Sequence, residues 1–548
     1  MENLWLDAKA RIANALGASI NEIEEPDKFG DFAYACFSKA KQAGKNPKEL
    51  AAELASGMKI DLISRIEVTG PYLNFYVDWN AFSRQLLEGI DSNYGSWNEK
   101  ETVMMDVFQA NPFKAFHIGH IKNAATGESV RRILEKTGRK TVTVNYNGDV
   151  GIHVARWLLY YTRFCNNEKP KDFTRFCGEV YAKSAQMAKD DAKFEEEAQE
   201  FNRKLDQRDP AITNLWKELR DLWYEDIERV RNEMDVKVEF MIPESECEVP
   251  GKETVMRFFK EGKLKESDGA IGIDLGNGLG FFILLKSDGT AIYATKDIGL
   301  LQRKKEKANF DRMVYVVGSE QNLYFQQLFK TFDILGLYPL DRSKHVSHGL
   351  VTLKEGKMAS RLGNVISYED LRDMMVKKVL EEMETKNPDA DDMEETARKI
   401  ALGAIMFQML DVENNKLIRF DWEQALDIQG RSGPYLQYSL VRALNIIRKE
   451  RAGNYDASLL KDGMEMNLIK KIAKYPGIVK NAAENYAPNI IANYIFEMAQ
   501  EFNSFYQNIQ VLKAEEEMKK ARLKLVEAFA TVLESGMYLL NIPRVEKM

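Results

Sequence analysis

Cysteine is scarce in this chain, with 4 among 548 residues, and no two of them form a C-x-x-C pair. The four are Cys36, Cys165, Cys177 and Cys247. Because paired cysteines are missing, the sequence offers neither a zinc ribbon nor a dithiol redox centre, and we expect no zinc. Isolated thiols are typical of a reducing compartment, so we expect a cytoplasmic protein.

Long apolar runs are also missing, since no stretch approaches the roughly 18 residues that a membrane span requires. The chain begins MENLWLD, with acids where a signal peptide would carry lysines before a hydrophobic stretch. We therefore expect no contact with a membrane. A basic excess is absent too, because the net charge is -7. That charge argues against a generic nucleic-acid binder, although 77 lysines and arginines leave room for a local basic groove.

The length of the chain exceeds what one hydrophobic core supports, and it predicts about three or four domains. Residues 1–95 have the pattern of a small α+β domain. Its predicted elements are helices at 4–16 and 34–41, a third helix capped by Asn46 with Pro47 at its first position, and strands at 65–68 and 72–77.

The pattern changes at Thr102, where a predicted βαβ unit begins. Its elements are a buried strand at 102–108, a loop at 111–116, a helix that runs to Glu135 with Gly138 as C-cap, and a strand at 141–145. Such a unit implies a parallel sheet with a right-handed crossover. Residues 160–235 are charged and have helical periodicity, which indicates an inserted helical subdomain.

Further strands are predicted at 271–275, 280–285, 291–294 and 313–317. The glycine-rich stretch 276–280 could be taken for a dinucleotide-binding loop. No helix follows it, however, so a tight hairpin turn between two apolar strands is the better interpretation. After about residue 370 strand signals vanish and helical periodicity continues to the end, as at 523–540.

The most informative residues are His117, Gly119 and His120, at the start of the predicted βαβ helix. Histidines three apart share one helix face, and the glycine between them lets a ligand approach the backbone. Imidazoles at a helix N-terminus can donate hydrogen bonds to phosphate oxygens during displacement at an α-phosphate. Taken alone, two such histidines are more often capping or surface residues. With only 5 histidines and no Walker-type loop in the chain, we interpret this element as an ATP site.

Residues 117–120, His-Ile-Gly-His, are identical to the ATP-binding signature of class I aminoacyl-tRNA synthetases. The residues around Lys357 resemble the second signature of that class, a lysine-rich loop. This resemblance implies that Lys357 and Met358 bind ATP and that Lys357 is catalytic, but Ser360 replaces the second lysine. Arginyl-tRNA synthetases often compensate with a lysine three residues before the first histidine, where this chain has Lys114. The alternative for Lys114 is a solvated loop lysine.

The flanking residues resemble arginyl-tRNA synthetases rather than other members of the class. NYNGDVG at 145–151 and YATKDI at 293–298 match stretches of that family. The resemblance implies that arginine is bound by Asp106, Asn111, Glu244, Tyr293, Asp297 and Gln321. The chemistry agrees, because the forked donors of a guanidinium need a carboxylate such as Asp297, while Tyr293 would pack on the alkyl stem. Taken singly, these two residues are more often a helix-start aromatic and a capping acid.

Both ends of the chain resemble RNA-binding parts of the same family. GPYLQY at 433–438 is similar to the start of its all-helical anticodon-binding domain, and GPYLNF at 70–75 to its N-terminal domain, which contacts the outer corner of the tRNA. The resemblance assigns tRNA contacts to Tyr72, Asn74, Tyr435 and Gln437. Aromatic and amide side chains suit stacking on and reading of splayed bases, although tyrosines at helical spacing are usually core residues.

The resemblance covers about residues 25–548 and implies a multidomain α/β enzyme. Its parts would be an N-terminal tRNA-contacting α+β domain at 1–95, a Rossmann-like catalytic domain at 96–370 with a helical insertion at about 160–235, a helical stem at 371–432, and a helical anticodon-binding domain at 433–548. The implied reaction is the ATP-dependent joining of L-arginine to its tRNA, with Mg²⁺ carried by ATP. The catalytic residues would be Lys114, His117, His120 and Lys357. The resemblance also implies that the activation of arginine requires tRNA, and we expect the protein to be a monomer.

Three alternatives remain at this stage. The chain could be a class I synthetase for another amino acid, such as glutamate or glutamine. It could be a tRNA-binding relative without catalytic activity, although the intact His117–His120 signature and Lys357 argue against that. It could also be a free-standing nucleotidyltransferase, which would not need a helical C-terminal domain.

Overall fold

The structure of this protein is a computed structural model that describes residues 3–26, 28–276, 278–354, 366–386 and 392–548. The strands in these residues are β1 Ile23–Glu24, β2 Phe32–Ala35, β3 Ile63–Thr69, β4 Tyr72–Val77, β5 Thr102–Asp106, β6 Lys140–Asn147, β7 Phe240–Pro243, β8 Lys265–Ser267, β9 Ala270–Asp274, β10 Phe281–Leu285, β11 Arg312–Gly318, β12 Ser343–His348, β13 Val351–Leu353 and β14 Ile418–Phe420.

Helices make up most of the remainder. In chain order they are α1 Leu4–Leu16, α2 Phe37–Ala43, α3 Pro47–Ala55, α4 Trp79–Gly89, α5 Ile118–Lys136, α6 Ile152–Phe164, α7 Phe173–Asp190, α8 Ala192–Asp206, α9 Pro210–Glu233, α10 Glu248–Lys260, α11 Tyr293–Lys307, α12 Asn322–Ile334, α13 Tyr368–Lys386, α14 Met393–Leu410, α15 Trp422–Leu426, α16 Gly433–Lys449, α17 Gly463–Asn485, α18 Pro488–Asn508 and α19 Glu516–Leu539.

The N-terminal unit is an antiparallel sheet in the order β1-β2-β4-β3, packed with α1–α4. The predicted cap is confirmed, because the Lys48 amide donates to Asn46 Oδ1 (2.9 Å) and Pro47 begins α3. The helix predicted at 34–41 is wrong at its start. Tyr34 lies in β2 opposite Leu73 and is buried, so pairing with β4 takes this residue into the sheet and α2 begins only at Phe37.

The central sheet has five parallel strands in the order β12-β11-β5-β6-β7, which confirms the Rossmann-like architecture. The first of these strands in the sequence, β5, lies between β6 and β11, so the strand order reverses there and a crevice opens at the carboxyl ends. Alternate residues of β5 face the two layers of helices. Val103 and Met105 pack in the core that includes α5, and Met104 packs with Ile298 of α11.

The elements between β6 and β11 are mostly as predicted. Helices α6–α9 form the insertion, and β9 and β10 form an antiparallel hairpin, in which the Leu275 amide donates to the Gly280 carbonyl (3.0 Å). The strand predicted at 291–294 is wrong. Ala291 makes an isolated bridge to Leu285, and then α11 begins at Tyr293 because Thr295 Oγ1 accepts from the Ile292 amide (3.0 Å).

Helix α5 is buried on several sides and links the central sheet to the C-terminal helices. Ser129 Oγ donates to the Leu539 carbonyl (2.7 Å), and Arg132 Nη1 donates to the Tyr538 carbonyl (2.9 Å). Both acceptors lie at the end of α19, where a helix leaves carbonyl groups without partners of its own. The helix that begins at the histidine signature is therefore fixed to the last helix of the chain.

The second half of the described chain is dominated by α13–α19, as the periodicity predicts. One correction is needed, because β14 (418–420) pairs in parallel with β13, so strands do not end at residue 370. No helix among the described residues has the length and apolar character needed to span a bilayer.

Lys122→Met is expected to raise the free energy of unfolding near pH 7 by about 1–3 kcal/mol. Burial lowers the pKa of Lys122 from 10.5 to about 7, and its ammonium donates to the Met409 carbonyl (2.6 Å). Between these two pH values the unfolded chain binds more protons than the folded one, so wild-type stability rises with pH and the advantage of methionine shrinks. Urea unfolding at pH 7 and pH 9.5, with the exposed Lys140→Met as control, tests this. A variant that is less stable at pH 7 would contradict it.

Candidate active site

The loop after β5 has an unusual backbone. Phe108, Gln109 and Phe113 have φ of 75°, 53° and 64°, which is uncommon for residues other than glycine. Such conformations persist only when the surroundings impose them, and they cluster at functional sites. Here Asn145 brackets the loop, because its Oδ1 accepts from the Ala110 amide (3.1 Å) and its Nδ2 donates to the Ala110 carbonyl (3.0 Å).

The two signature histidines cap α5 and each other. The Gly119 amide donates to His117 Nδ1 (3.1 Å), and the His117 amide donates to His120 Nδ1 (3.1 Å). Burial and the nearby Lys114 lower the pKa of His117, and burial with the His117 ring lowers the pKa of His120 well below 6.5. Because both Nδ1 atoms accept, the neutral rings carry their proton on Nε2. The pair therefore has two N–H donors at a helix N-terminus, which suits anionic oxygens.

Lys114 lies on the loop just before these histidines. Burial lowers the pKa of its ammonium, which lies 5.8 Å from the centre of the Tyr181 ring. In the part of the chain that the structure describes, no acceptor bonds to this ammonium. A half-buried cation without an acceptor is suited to receive an anionic ligand.

The predictions for Lys357 and Met358, and the substitution at Ser360, lie outside the described residues. The segment that follows them is joined to the histidine loop. The Ile118 amide donates to the Ile366 carbonyl (3.0 Å), and the Tyr368 amide donates to the Phe116 carbonyl (2.8 Å). Residues 366–368 and 116–118 are thus paired like two short strands, next to the start of α5.

Carboxylates lie at the same edge of the sheet. Asp106 ends β5 and pairs with Lys304 of α11 (2.8 Å), with both side chains almost completely buried. Asp297, also on α11, accepts a hydrogen bond from Tyr324 and is buried. Burial raises the pKa of Asp297 to about 7, although the Tyr324 hydrogen bond and Lys304 oppose this shift.

Glu244 follows β7 and forms an ion pair with Lys296 of α11. Asn111 lies close by, because its Oδ1 accepts from the Gly148 amide (2.6 Å). A methyl group added to Gly148 would lie 3.2 Å from Asn111 Oδ1 and 3.2 Å from Glu244 Oε2. Glycine at 148 therefore lets these two side chains approach the same point of the backbone.

The two remaining residues predicted to bind arginine lie nearer the surface. Tyr293 begins α11 and is 71% exposed, and Gln321 is exposed at the end of the short helical turn after β11. The six predicted arginine-binding residues thus come from the carboxyl ends of β5, β7 and β11, the loop after β5, and the first two turns of α11. The histidine pair stands beside them, at the crevice where the strand order reverses.

Comparison with known protein families decides among the alternatives. The model described as "Arginyl tRNA synthetase N terminal domain" matches residues 7–77, and "tRNA synthetases class I (R), catalytic domain" matches residues 84–422, more than half of the chain. The chain belongs to the arginyl-tRNA synthetase family. A third model, "DALR anticodon binding domain", matches residues 436–548.

Individual members of the arginyl-tRNA synthetase family match along nearly the whole length. The arginine–tRNA ligase of Clostridium acetobutylicum is 34% identical, and the match covers 96% of this chain and 96% of that one. The arginine–tRNA ligase of Clostridium beijerinckii is also 34% identical, and the match covers 99% of this chain and 100% of that one. The solved arginyl-tRNA synthetase of Thermus thermophilus superposes with a TM-score of 0.81 at 25% identity, covering 98% of this chain and 99% of that one. That of Plasmodium falciparum, at 22% identity, has the same fold (TM-score 0.79, 100% and 98%).

The residues that the family resemblance assigned to tRNA differ in accessibility. Tyr72 is exposed, with its ring 5.9 Å edge-to-face from the exposed Phe37. Asn74 is buried and donates to Thr69 Oγ1 (3.1 Å). Tyr435 is half-buried against Phe496.

Gln437 is completely buried in the helical domain, and its Nε2 donates to the carbonyls of Lys399 (3.1 Å) and Pro543 (2.8 Å). As for Asn74, these contacts fit a structural role better than direct contact with RNA. Tyr72, the one of these four residues with an exposed side chain, therefore stays the predicted tRNA contact of the N-terminal domain.

The sequence does not predict several polar residues that lie close to Asp106, Glu244 and Asp297. Tyr146, Lys296, Lys304 and Tyr324 all lie among the three carboxylates. Tyr146, Lys296 and Lys304 stand within or beside the stretches that resemble the family, and a search for polar residues adjacent to those stretches would have found them. Their pairings join residues far apart in the chain, and no local pattern encodes that.

Proposed function

We propose that this chain is an arginine–tRNA ligase that first forms arginyl-adenylate from L-arginine and ATP and then transfers arginine to its tRNA. The observation that carries this proposal is the pair of Nε2–H donors at the start of α5, on the same edge of the sheet as the Asp297 and Glu244 carboxylates. Donors at a helix N-terminus suit the phosphates of ATP, and buried carboxylates suit a guanidinium.

In the first step the arginine carboxylate attacks the α-phosphate and pyrophosphate leaves. His117 and His120 donate to the phosphate oxygens on which charge develops, and Lys114 supplies a cation near them. Gly119 keeps the backbone open to ATP, and Lys357 and Met358 take the part that the family resemblance gives them. Mg²⁺ arrives with the ATP phosphates, so the chain's own contribution is positioning and charge.

Arginine is oriented by the pocket on α11 and its neighbours. Asp297 accepts from the guanidinium, Tyr293 covers the alkyl stem, and Asn111 and Gln321 hold the amino-acid end, while Asp106 stays paired with Lys304 beneath the site. In the second step a ribose hydroxyl of the terminal adenosine attacks the activated carbonyl, and AMP leaves.

The tRNA would lie along both RNA-binding ends of the chain, with Tyr72 stacking at the N-terminal domain and Tyr435 at the surface of the helical domain. We place these domains at 1–95 and 433–548, with the catalytic domain at 96–370 and a helical stem at 371–432. The protein would act as a cytoplasmic monomer. A charging assay with twenty amino acids and total tRNA tests the proposal, which fails if arginine is not joined.

Asp297→Asn is expected to raise the KM for arginine roughly 30-fold, because a charge-assisted pair with a desolvated guanidinium costs about 2 kcal/mol to lose. Wild-type affinity should fall as the pH drops through about 7, since arginine binds the ionised form and the pKa of empty Asp297 is about 7. The variant should lose this pH dependence and discriminate less between arginine and neutral citrulline. The exposed Asp221→Asn is the control. Unchanged discrimination would move recognition to Glu244 or Asp106.

A further inference from the structure

Two of the three carboxylates at the proposed arginine site form ion pairs with lysines of α11, and the two ion pairs are not alike. Asp106 and Lys304 are sealed, with side-chain exposures of 1% and 0%, and the Lys304 ammonium also lies 3.7 Å from the centre of the Tyr315 ring. Glu244 and Lys296 are at the rim, with exposures of 8% and 15%. A long lysine stem at such a place can turn its ammonium into water without moving the backbone.

The two oxygens of Glu244 differ in their contacts. Glu244 Oε2 faces Gly148, where an added methyl group would lie 3.2 Å away. The other oxygen, Oε1, is the atom that the Lys296 ammonium binds. A forked guanidinium that pairs with both oxygens of Glu244 must therefore replace Lys296 at Oε1.

The pocket also keeps a polar atom without a partner. The Tyr146 hydroxyl is buried and makes no hydrogen bond within the described residues. Burial raises the pKa of Tyr146, and the charges of Asp297 and Glu244 raise it further, so the hydroxyl lies near both carboxylates. An orphaned hydroxyl between two acids indicates a lining that a ligand with several N–H donors completes.

We propose that Lys296 is a built-in occupant of the guanidinium site, which neutralises Glu244 while the pocket is empty and is displaced by arginine. The inference rests on the proposed function and gives a specificity role to Lys296, which the family resemblance did not assign to arginine binding. A guanidinium gains from the exchange, because its planar fork reaches Glu244, Asp297 and Tyr146 together. A lysine substrate would replace one ammonium at Glu244 with another and gain no free energy from the exchange. Lys296 therefore lowers the affinity of the site for lysine more than its affinity for arginine.

The test is arginine binding to the full-length protein by calorimetry at pH 8.5, without ATP or RNA. Lys296→Met is expected to bind arginine roughly tenfold more tightly than wild type, since one ion pair no longer has to be broken. Affinity for lysine should rise by a larger factor, which narrows the gap between the two amino acids. Lys307→Met, an exposed position at the far end of α11, is the matched control and should change neither.

A second readout separates this role from a structural one. The charged groups that face Glu244 are Lys296 and Asp297 on α11, Asp149 after β6, Glu248 on α10 and Lys114 on the histidine loop, and the Tyr146 and Tyr324 hydroxyls are titratable groups close to it. Lys296 lowers the pKa of Glu244, which burial raises, so this pKa should be higher still in the empty site of the variant. Bound arginine would lower the pKa again, so as the pH falls arginine binding to the variant should release more protons than binding to wild type and weaken more steeply.

Arginine binding that is unchanged or weaker in Lys296→Met at pH 8.5, or equal proton release by the two proteins, would overturn the inference. Failure of the proposed function would look different. In that case the wild-type protein itself would neither bind arginine nor join it to tRNA, whatever residue stands at 296.

Discussion

Lys114→Ala is expected to slow arginyl-adenylate formation by roughly 10²-fold or more, because the loss of one preorganised charge donor costs about 3 kcal/mol in the transition state. The affinities for ATP and arginine should fall much less, since the ammonium acts on charge that develops during the displacement. Single-turnover measurement of adenylate formation, separate from equilibrium binding, distinguishes these two effects.

The structure gives a physical reason for a large effect. Burial lowers the pKa of Lys114, and no acceptor among the described residues bonds to its ammonium, so its charge is held for a ligand. The same charge helps to keep His117 neutral, as its lowered pKa indicates. The alanine variant should therefore also raise the pKa of His117, which NMR titration of the imidazole can detect.

The control for this prediction is Lys140→Ala. Lys140 is exposed at the amino end of β6, whereas the histidines lie beyond the carboxyl ends of the strands. This variant should have wild-type rates. Near-normal turnover in Lys114→Ala would mean that Lys114 is a solvated loop lysine after all.

Local signals in the sequence were sufficient for much of the fold. Asn46 as N-cap and Pro47 at the first helical position define the start of a helix. The βαβ unit around His117 is encoded by an apolar strand, a helical pattern and a glycine C-cap. Strand β12 was missed because Ser343–His348 has a polar sequence. Its backbone pairs with β11 at the sheet edge, and only that pairing makes it a strand.

Helix α5 shows what periodicity cannot predict. Its charged residues Glu128, Arg131 and Arg132 are buried, whereas an amphipathic pattern would place them in water. They are buried because Arg131 and Arg132 pair with Glu128, and Arg132 also donates to the carbonyls of Asp235, just after α9, and of Tyr538 in α19. The candidate site is predictable to the same extent as α5. Its residue types can be found in the sequence, but the Lys296–Glu244 and Tyr324–Asp297 contacts join distant residues and depend on tertiary structure.

ATP–pyrophosphate exchange with arginine is expected to be negligible for the protein alone and to appear on adding cognate tRNA, a change of roughly 10³-fold or more if closure completes the site. The family resemblance implies this requirement, and two features of the chain support it. Ser360 replaces one phosphate-binding lysine of the second signature. In addition, α5 is bonded through Ser129 and Arg132 to the end of α19, so the RNA-binding helices and the histidines share one rigid element.

Removing the chain from Gly433 onward would be a poor test of this tRNA-dependent gate, because α16–α19 share a continuous core with α5 and the truncation would expose that core.

The full-length protein allows a sharper test. Cognate tRNA with an oxidised terminal ribose cannot accept arginine but fills both RNA-binding ends, so it should support exchange. Non-cognate tRNA should not. Arg132→Lys keeps the charge but loses the forked contacts to Asp235 and to the end of α19, and it should reduce the tRNA-stimulated exchange rate more than the affinity for tRNA. Robust exchange without any RNA would refute the gate and leave the family assignment intact.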